Sequence, residues 1–233
     1  MLTVKEIAKM IDHSLLRPDI TQAELLAGIE LAKEYDVASV CVRPIDVEIS
    51  AKKLAGTDVL VGTVIGFPHG SNVTAVKVFE AQQAMEQGAV ELDMVLSISH
   101  LRSGDFEYVE QDIRAVVEAA QAQGALVKVI LENSYLTSAE IVKACQLCEQ
   151  AGADYVKTST GYAPTGATVD DVKLMRQSCS PKVFVKAAGG IRTLDDVLAF
   201  RAAGVKRIGT RSTKEIIDEA EARYKAGTLQ EVG

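Results

Sequence analysis

Long apolar runs, clusters of basic residues and paired metal ligands are all missing from this sequence. No apolar run approaches the length of about 20 residues that a membrane-spanning helix needs, so we expect no membrane partner. The formal net charge is −7 and no basic cluster could follow a phosphate backbone, which disfavours nucleic acid as a partner. The three histidines are scattered without metal-ligand spacing. We therefore predict no metal and no other cofactor.

Cysteine is also scarce, and a secretion signal is not evident. The four cysteines fall in segments with apolar periodicity, which is typical of a reducing compartment. Cys145 and Cys148 form a CxxC by spacing, but they lie in a helical pattern and are expected to be buried thiols. The first 13 residues carry charges throughout and lack the apolar core of a signal peptide. These features predict a cytoplasmic location.

Short apolar strands alternate with amphipathic helices along the whole chain. Apolar residues make up 48% and charged residues 24%, as in a soluble globular protein, and we expect one domain over residues 1–233. Four joints repeat a glycine at a helix end just before a strand: QGAVEL, QGALVK, AGADYV and AGVKRI. This pattern predicts an α/β fold, a (β/α)8 TIM barrel with a short extra N-terminal helix over residues 4–10. An open doubly wound sheet is the alternative, but no GxGxxG follows the first strand.

Two of the predicted strands each carry one lysine. Lys157 lies in DYVKTSTG, and Lys186 repeats the arrangement in VFVKAAGG. A lysine on an edge strand that points to water is the ordinary interpretation of either one alone. Burial in a barrel disfavours the charged form and leaves a free amine, which is a good nucleophile. The repeat favours this second interpretation.

Further polar residues occur at other strand ends, where the chemistry of such barrels lies. Glu91 and Asp93 share one face of a strand because side chains alternate, and a single buried carboxylate is equally well explained by a structural ion pair. Many charges meeting in one barrel would be expensive to bury without a function. The polar residues expected to converge are Asp12, His13, Cys41, Glu91, Asp93, Lys128, Lys157, Thr158, Thr160 and Lys186.

This set predicts Schiff-base chemistry. One lysine would form an imine with a carbonyl substrate, and the neighbouring cation would lower the pKa of that lysine. The protonated imine withdraws electrons, so an adjacent carbon–carbon bond can break or form. A carboxylate such as Asp93 would move the protons through water.

Glycine-rich segments predict where the other end of the substrate binds. Gly189 and Gly190 end the seventh strand, and GTRST, from Gly209, joins the eighth strand to a helix. A Gly-Gly pair alone usually indicates only a turn. At this point of a TIM barrel, backbone N–H groups and a helix N-terminus form the usual phosphate site, so we expect a phosphorylated substrate.

The sequence resembles the deoxyribose-phosphate aldolase family over residues 11–213. The matching segments are IDHSLLRPD, CVRP, TVIGFPHG, ELDMV, KVILE, YVKTSTGY, VKAAGGIR and RIGT. The resemblance implies a metal-free class I aldolase with a TIM barrel fold. It implies reversible cleavage of 2-deoxy-D-ribose 5-phosphate to glyceraldehyde 3-phosphate and acetaldehyde, in deoxynucleoside catabolism. It also suggests a homodimer, which no feature of the sequence decides.

The resemblance also assigns roles to residues. Lys157 would form the Schiff base, Lys186 would perturb it, and Asp93 would donate and accept the proton. Substrate-binding or supporting positions implied by the resemblance are Asp12, Cys41, Lys128, Thr160, Gly161, Gly189, Gly190 and Ser212. Cys41 would lie near the pocket, where aldehyde products could attack its thiol.

Two positions depart from the family pattern. IGTRST stands where the family commonly has IGTSSG, which puts Arg211 in place of a phosphate-binding serine. Arg211 either clamps the phosphate or turns outward, and we expect the clamp. Tyr162 stands where some members have lysine or phenylalanine. Two alternatives therefore stay open: a Schiff-base aldolase of another aldehyde pair, and a non-catalytic barrel that binds a phosphosugar.

Overall fold

A computed structural model describes residues 2–231; residue 1 and residues 232–233 of the expected domain lie outside the described residues. Within this range eight parallel strands pair in sequence order, and β8 pairs with β1 to close the barrel. The strands are β1 (Ile11–Leu15), β2 (Ser39–Val42), β3 (Leu60–Ile65), β4 (Glu91–Val95), β5 (Leu126–Ile130), β6 (Tyr155–Lys157), β7 (Phe184–Ala188) and β8 (Val205–Thr210). The predicted (β/α)8 barrel is confirmed.

Ten α-helices surround the strands within residues 2–231. They are α1 (Val4–Ala8), α2 (Gln22–Glu34), α3 (Val47–Leu54), α4 (Thr74–Glu86), α5 (Ile98–Arg102), α6 (Phe106–Gln121), α7 (Ser138–Gln150), α8 (Val169–Ser178), α9 (Leu194–Ala202) and α10 (Thr213–Lys225). α1 is the extra N-terminal helix that the sequence predicts. None of the helices in this part of the chain is both long and apolar enough to cross a bilayer.

Helix starts follow the capping signals of the sequence. Thr21, Thr137 and Thr193 each accept a hydrogen bond from the N–H three residues on, whose acidic side chain bonds back to the cap. α5 is the element that the sequence does not predict. It spans five residues and buries only Leu101, so it shows no apolar periodicity.

Side-chain alternation divides each strand between two environments. In β4, Leu92 and Met94 are fully buried in the apolar core cluster. Glu91 and Asp93 are also fully buried, but they take part in the ion pairs described below. The sheet thus has an apolar outer layer against the helices and a charged interior. This charged interior leads to the candidate site.

Candidate active site

The two lysines predicted from the sequence are neighbours in the sheet. Lys157 of β6 pairs in register with Lys186 of β7. Both are buried, with 3% and 1% of their surface exposed. Lys157 is therefore not an edge-strand lysine that points to water.

Asp93 joins the two amines. Its Oδ2 accepts hydrogen bonds from Lys157 Nζ at 2.7 Å and from Lys186 Nζ at 2.7 Å. Its Oδ1 lies 3.2 Å from Lys128 Nζ but accepts no hydrogen bond. One fully buried carboxylate thus contacts three lysine side chains.

Asp12 and Glu91 complete the pairing of the other cations. Lys186 Nζ donates to Asp12 Oδ2 at 2.5 Å, and Lys128 Nζ donates to Glu91 Oε2 at 2.5 Å. Lys128 Nζ also lies 3.2 Å from Asp12 Oδ2. Asp12 and Lys128 thus belong to the same ion-pair network as Asp93 and Lys186.

The pKa values of the two lysines shift in opposite directions because their partners differ. Burial lowers the pKa of Lys157; Asp93 opposes this effect and the charge of Lys186 adds to it. Burial also disfavours the charged form of Lys186, but Asp12 and Asp93 outweigh it and raise the pKa of that lysine. Lys157 is thus the better nucleophile and Lys186 the ammonium beside it.

Cys41 lies beside the same carboxylate. Its Sγ is 4.0 Å from Asp93 Oδ2, and burial, helped by the charge of Asp93, raises the pKa of the thiol to about 11. The sequence left this pKa open. A thiol in this state is a weak nucleophile at neutral pH.

A cavity of about 470 Å³ opens over the two lysines at the carboxyl ends of the strands. The predicted site residues that line it are Asp12, Cys41, Lys157, Thr160, Gly161, Lys186, Gly189, Gly190, Arg211 and Ser212. Asp93 and Lys128 do not line the cavity. Asp93 is linked to the cavity through the amines of Lys157 and Lys186, and Lys128 is linked to it through the carboxylate of Asp12.

The glycine-rich loops form one end of this cavity. Gly189 and Gly190 have φ of 88° and 83°, a region that favours glycine. A Cβ on Gly166 would lie 2.2 Å from the Gly189 carbonyl oxygen, so the loops after β6 and β7 touch through backbone. Ser212 is the N-cap residue of α10. The backbone of the loops after β6 and β7 and the N-terminus of α10 therefore lie at one end of the cavity, and this combination is typical of an anion site.

His13 does not join the other polar residues. Its Nδ1 bonds Thr213 Oγ1 of α10 at 2.8 Å, and burial lowers its pKa to about 4. Because side chains alternate, His13 lies on the opposite face of β1 from Asp12. The expectation that it converges on the site is wrong.

Several polar residues of the site region were not among those expected: Ser14, Arg17, Asp19, Arg192 and Thr210 line the cavity, and Arg207 and Glu132 bond to site residues without lining it. Arg207 of β8 donates to both Asp12 and Glu91, and the alternation that places Gly209 at the cavity could have found it. Glu132 has φ of 57° and accepts from the Thr160 N–H at 3.2 Å. Glu132 lies two residues beyond the end of β5 at Ile130, so the alternation of that strand gives no signal for it.

Tyr162 bridges two loops at the mouth of the cavity. Its hydroxyl donates to the Leu16 carbonyl oxygen at 2.8 Å, and its ring meets Phe67 edge to face at 5.5 Å. The residue therefore gives this part of the cavity an aromatic wall where some family members carry a cation.

Sequence comparison places this site among known aldolases. The profile described as "DeoC/LacD family aldolase" matches residues 6–212. The deoxyribose-phosphate aldolase of Thermoanaerobacter sp. is 54% identical over 214 residues, covering 91% of this chain and 96% of the relative. That of Streptococcus equi subsp. zooepidemicus is 57% identical over 204 residues, covering 88% and 92%.

A solved structure gives the same result for the fold. The deoxyribose phosphate aldolase of Aeropyrum pernix, described as a tetramer, has a TM-score of 0.88 and 31% identity, covering 94% of this chain and 93% of that one. The resemblance read from the sequence is confirmed. The chain belongs to the DeoC/LacD aldolase family, whose members are carbon–carbon lyases.

Proposed function

We propose that this aldolase reversibly cleaves 2-deoxy-D-ribose 5-phosphate to glyceraldehyde 3-phosphate and acetaldehyde through a Schiff base on Lys157. The single observation that carries the mechanism is the pair of neighbouring lysines that share Asp93 Oδ2 at 2.7 Å each. Burial lowers the pKa of Lys157, whereas Asp12 and Asp93 raise that of Lys186 against the effect of its burial, so the free amine is favoured at Lys157 with an ammonium beside it.

The chemistry begins at the aldehyde of the open-chain substrate. Lys157 Nζ adds to C1, and loss of water leaves a protonated imine. A base takes the proton of the C3 hydroxyl, the C2–C3 bond breaks, and its electron pair moves into the imine to give an enamine. Glyceraldehyde 3-phosphate leaves; protonation of C2 and hydrolysis then release acetaldehyde and restore Lys157.

Asp93 and Lys186 are proposed as the proton-transfer pair. Asp93 does not line the cavity, so its protons would pass through Lys186, Lys157 or water rather than directly to the substrate. Lys186 lines the cavity and keeps a proton that it can donate. Asp12 and Lys128 orient these groups, and Thr160 lines the wall beside Lys157.

The phosphate is proposed to bind at the glycine-rich end, on the amides near Gly189 and Gly190, on Ser212 and on the N-terminus of α10. Arg211 also lines this end of the cavity. Its side chain is exposed and has no ion-pair partner within residues 2–231, so the guanidinium is available for a phosphate. Cys41 and Gly161 line the cavity but carry no charge.

A Schiff-base aldolase of another aldehyde pair is the second candidate. Arg211 would favour it, because a guanidinium stands where the family pattern has a serine and changes the shape and charge of this end of the cavity. A non-catalytic phosphosugar-binding barrel has no support from the site, since both lysines and Asp93 are in place. A homodimer and a cytoplasmic location stay predictions.

Cleavage of 2-deoxyribose 5-phosphate in the presence of EDTA tests the proposal. We expect full activity with the chelator and no measurable activity in Lys157→Ala, with Lys206→Ala on the exposed part of β8 as a matched control. Substantial cleavage by Lys157→Ala would overturn the mechanism. Cleavage of an aldol made from another pair of aldehydes, without cleavage of 2-deoxyribose 5-phosphate, would favour the second candidate.

A further inference from the structure

The barrel interior holds an unequal number of acids and bases. Among residues 2–231, its ion-pair network contains three carboxylates, Asp12, Glu91 and Asp93. It contains four bases, Lys128, Lys157, Lys186 and Arg207. If every group were ionised, the network would carry one excess positive charge. A buried net charge is costly, so the favoured state has one neutral base.

The number of carboxylate partners decides which base is neutral. Lys128 contacts Asp12, Glu91 and Asp93 at 3.2, 2.5 and 3.2 Å. Lys186 contacts two carboxylates at 2.5 and 2.7 Å. Lys157 contacts Asp93 alone and shares that oxygen with Lys186.

Arg207 is the base that cannot give up its proton under these conditions. Its Nη2 donates to Glu91 Oε1 at 2.8 Å and its Nη1 donates to Asp12, while its side chain is 14% exposed. It does not line the cavity; Gly209, two residues further along β8, does. Arg207 therefore lies one layer below the reacting atoms and cannot touch the substrate.

We propose that Arg207 is the positioning residue that keeps Lys157 a free amine. With Arg207, Lys128 and Lys186 charged, the three carboxylates are already balanced, and a proton on Lys157 has no unmatched carboxylate to hold it. Removing Arg207 leaves one carboxylate unbalanced, and Lys157 then takes up the proton. The proposal rests on the proposed Schiff-base role of Lys157.

The other ionisable groups near Lys157 form no ion pair with the network within residues 2–231. Cys41 on β2 is a neutral thiol whose pKa burial raises to about 11. Tyr155 on β6 is a neutral phenol, and burial raises its pKa further. Glu132, after β5, bonds to Thr160 and not to these bases; burial raises the pKa of its carboxyl, and the hydrogen bonds from Thr160 and the charge of Lys157 oppose this effect.

The test is the pH dependence of kcat/KM for 2-deoxyribose 5-phosphate, whose acid limb reports the free amine of Lys157. In Arg207→Met we expect the limb to move to higher pH by about one unit, with about tenfold lower kcat/KM below the limb. Much of the activity should return at high pH. Arg207→Lys, which keeps the charge, should leave the limb near its wild-type position.

Removal of one carboxylate should have the opposite effect. Glu91→Gln should move the acid limb to lower pH, and Arg207→Met combined with Glu91→Gln should return it towards the wild-type position. These variants keep the proposal testable if Arg207→Met alone does not fold. If Arg207 had only a structural role, Arg207→Met would lower kcat/KM equally at every pH. An acid limb that stays at the wild-type pH in both Arg207→Met and Glu91→Gln would overturn the proposal. Wild-type protein without cleavage would instead contradict the proposed function.

Discussion

Two lysines that pair in register on neighbouring strands have pKa values that shift in opposite directions. Burial acts on both, since Lys157 and Lys186 are each almost fully enclosed. Lys186 contacts Asp12 and Asp93, whereas Lys157 contacts only Asp93. One carboxylate is too few to offset desolvation and the repulsion of a neighbouring ammonium.

Loss of that ammonium should impair catalysis more than folding. In Lys186→Leu we expect kcat to fall by roughly 10²–10⁴-fold, the range of general acid–base catalysis, because the proton donor is lost. Asp12 and Asp93 keep Lys128 as a partner, so circular dichroism should still show a folded barrel. Wild-type kcat in this variant would contradict the role given to Lys186.

Arg211 should act on substrate binding rather than on bond breaking. Its position at the glycine-rich end predicts that Arg211→Ser raises KM for 2-deoxyribose 5-phosphate by about tenfold and changes kcat little. Unphosphorylated 2-deoxyribose is the control substrate, and its kcat/KM should be unchanged. An unchanged KM for the phosphorylated substrate would show that Arg211 does not reach the phosphate.

The identities of the paired residues followed from the sequence because the period of a strand is two. Alternation alone puts Glu91 with Asp93, and the repeated VKxxxG-type strands point to Lys157 and Lys186. The pairing itself could not be predicted. Which carboxylate contacts which amine depends on the register across β8 and β1, where Arg207 competes for Asp12.

At the level of elements, the loops after β6 and β7 hold each other by backbone contact. The Ala167 N–H donates to the Gly189 carbonyl oxygen at 3.1 Å, directly beside Gly166. A side chain on Gly166 has no space because the neighbour is backbone rather than a flexible side chain. The geometry of the proposed phosphate site thus depends on one glycine that lines none of the cavity.

Gly166→Ala should therefore separate the two loops. We expect KM for the phosphorylated substrate to rise and stability in urea to fall by about 1–3 kcal/mol, as for other forced overpacking. Thr165→Ala, at the exposed neighbouring position, is the matched control and should behave like the wild type. Wild-type KM and stability in Gly166→Ala would mean that the loops do not pack as described.

The elements that the sequence predicts best are those with a local chemical signal. Threonine caps with an acidic residue three positions on mark α2, α7 and α9 correctly. Strand ends carry no such local signal: β2 begins at Ser39 and β8 begins at Val205. Strand ends depend on pairing with neighbours, which local sequence does not encode.

For the whole molecule, His13 links stability to pH. Burial lowers its pKa to about 4, whereas an exposed histidine in the unfolded chain titrates near 6.5. Below pH 6.5 the unfolded state binds a proton that the folded state does not. The stability contribution is thus complete above pH 6.5 and is lost as the pH falls towards 4.

We expect urea unfolding to show about 2 kcal/mol less stability at pH 5 than at pH 7 from this group, at about 1.4 kcal/mol per pH unit. Asp12 and Asp93 do not contribute in this window, because their pKa values lie below the usual range for a carboxyl. In His13→Asn the loss between pH 7 and pH 5 should largely disappear. An equal loss in both proteins would assign the pH dependence to other groups.

Borohydride reduction in the presence of acetaldehyde, followed by peptide mass mapping, tests the central claim most directly. Reduction of an imine between acetaldehyde and Lys157 leaves an ethyl group on that nitrogen, so the account predicts an ethyl adduct on the peptide that contains Lys157. The adduct should be absent in Lys157→Ala. No adduct, or adducts spread over exposed lysines, would show that Lys157 is not an activated amine and would contradict the account.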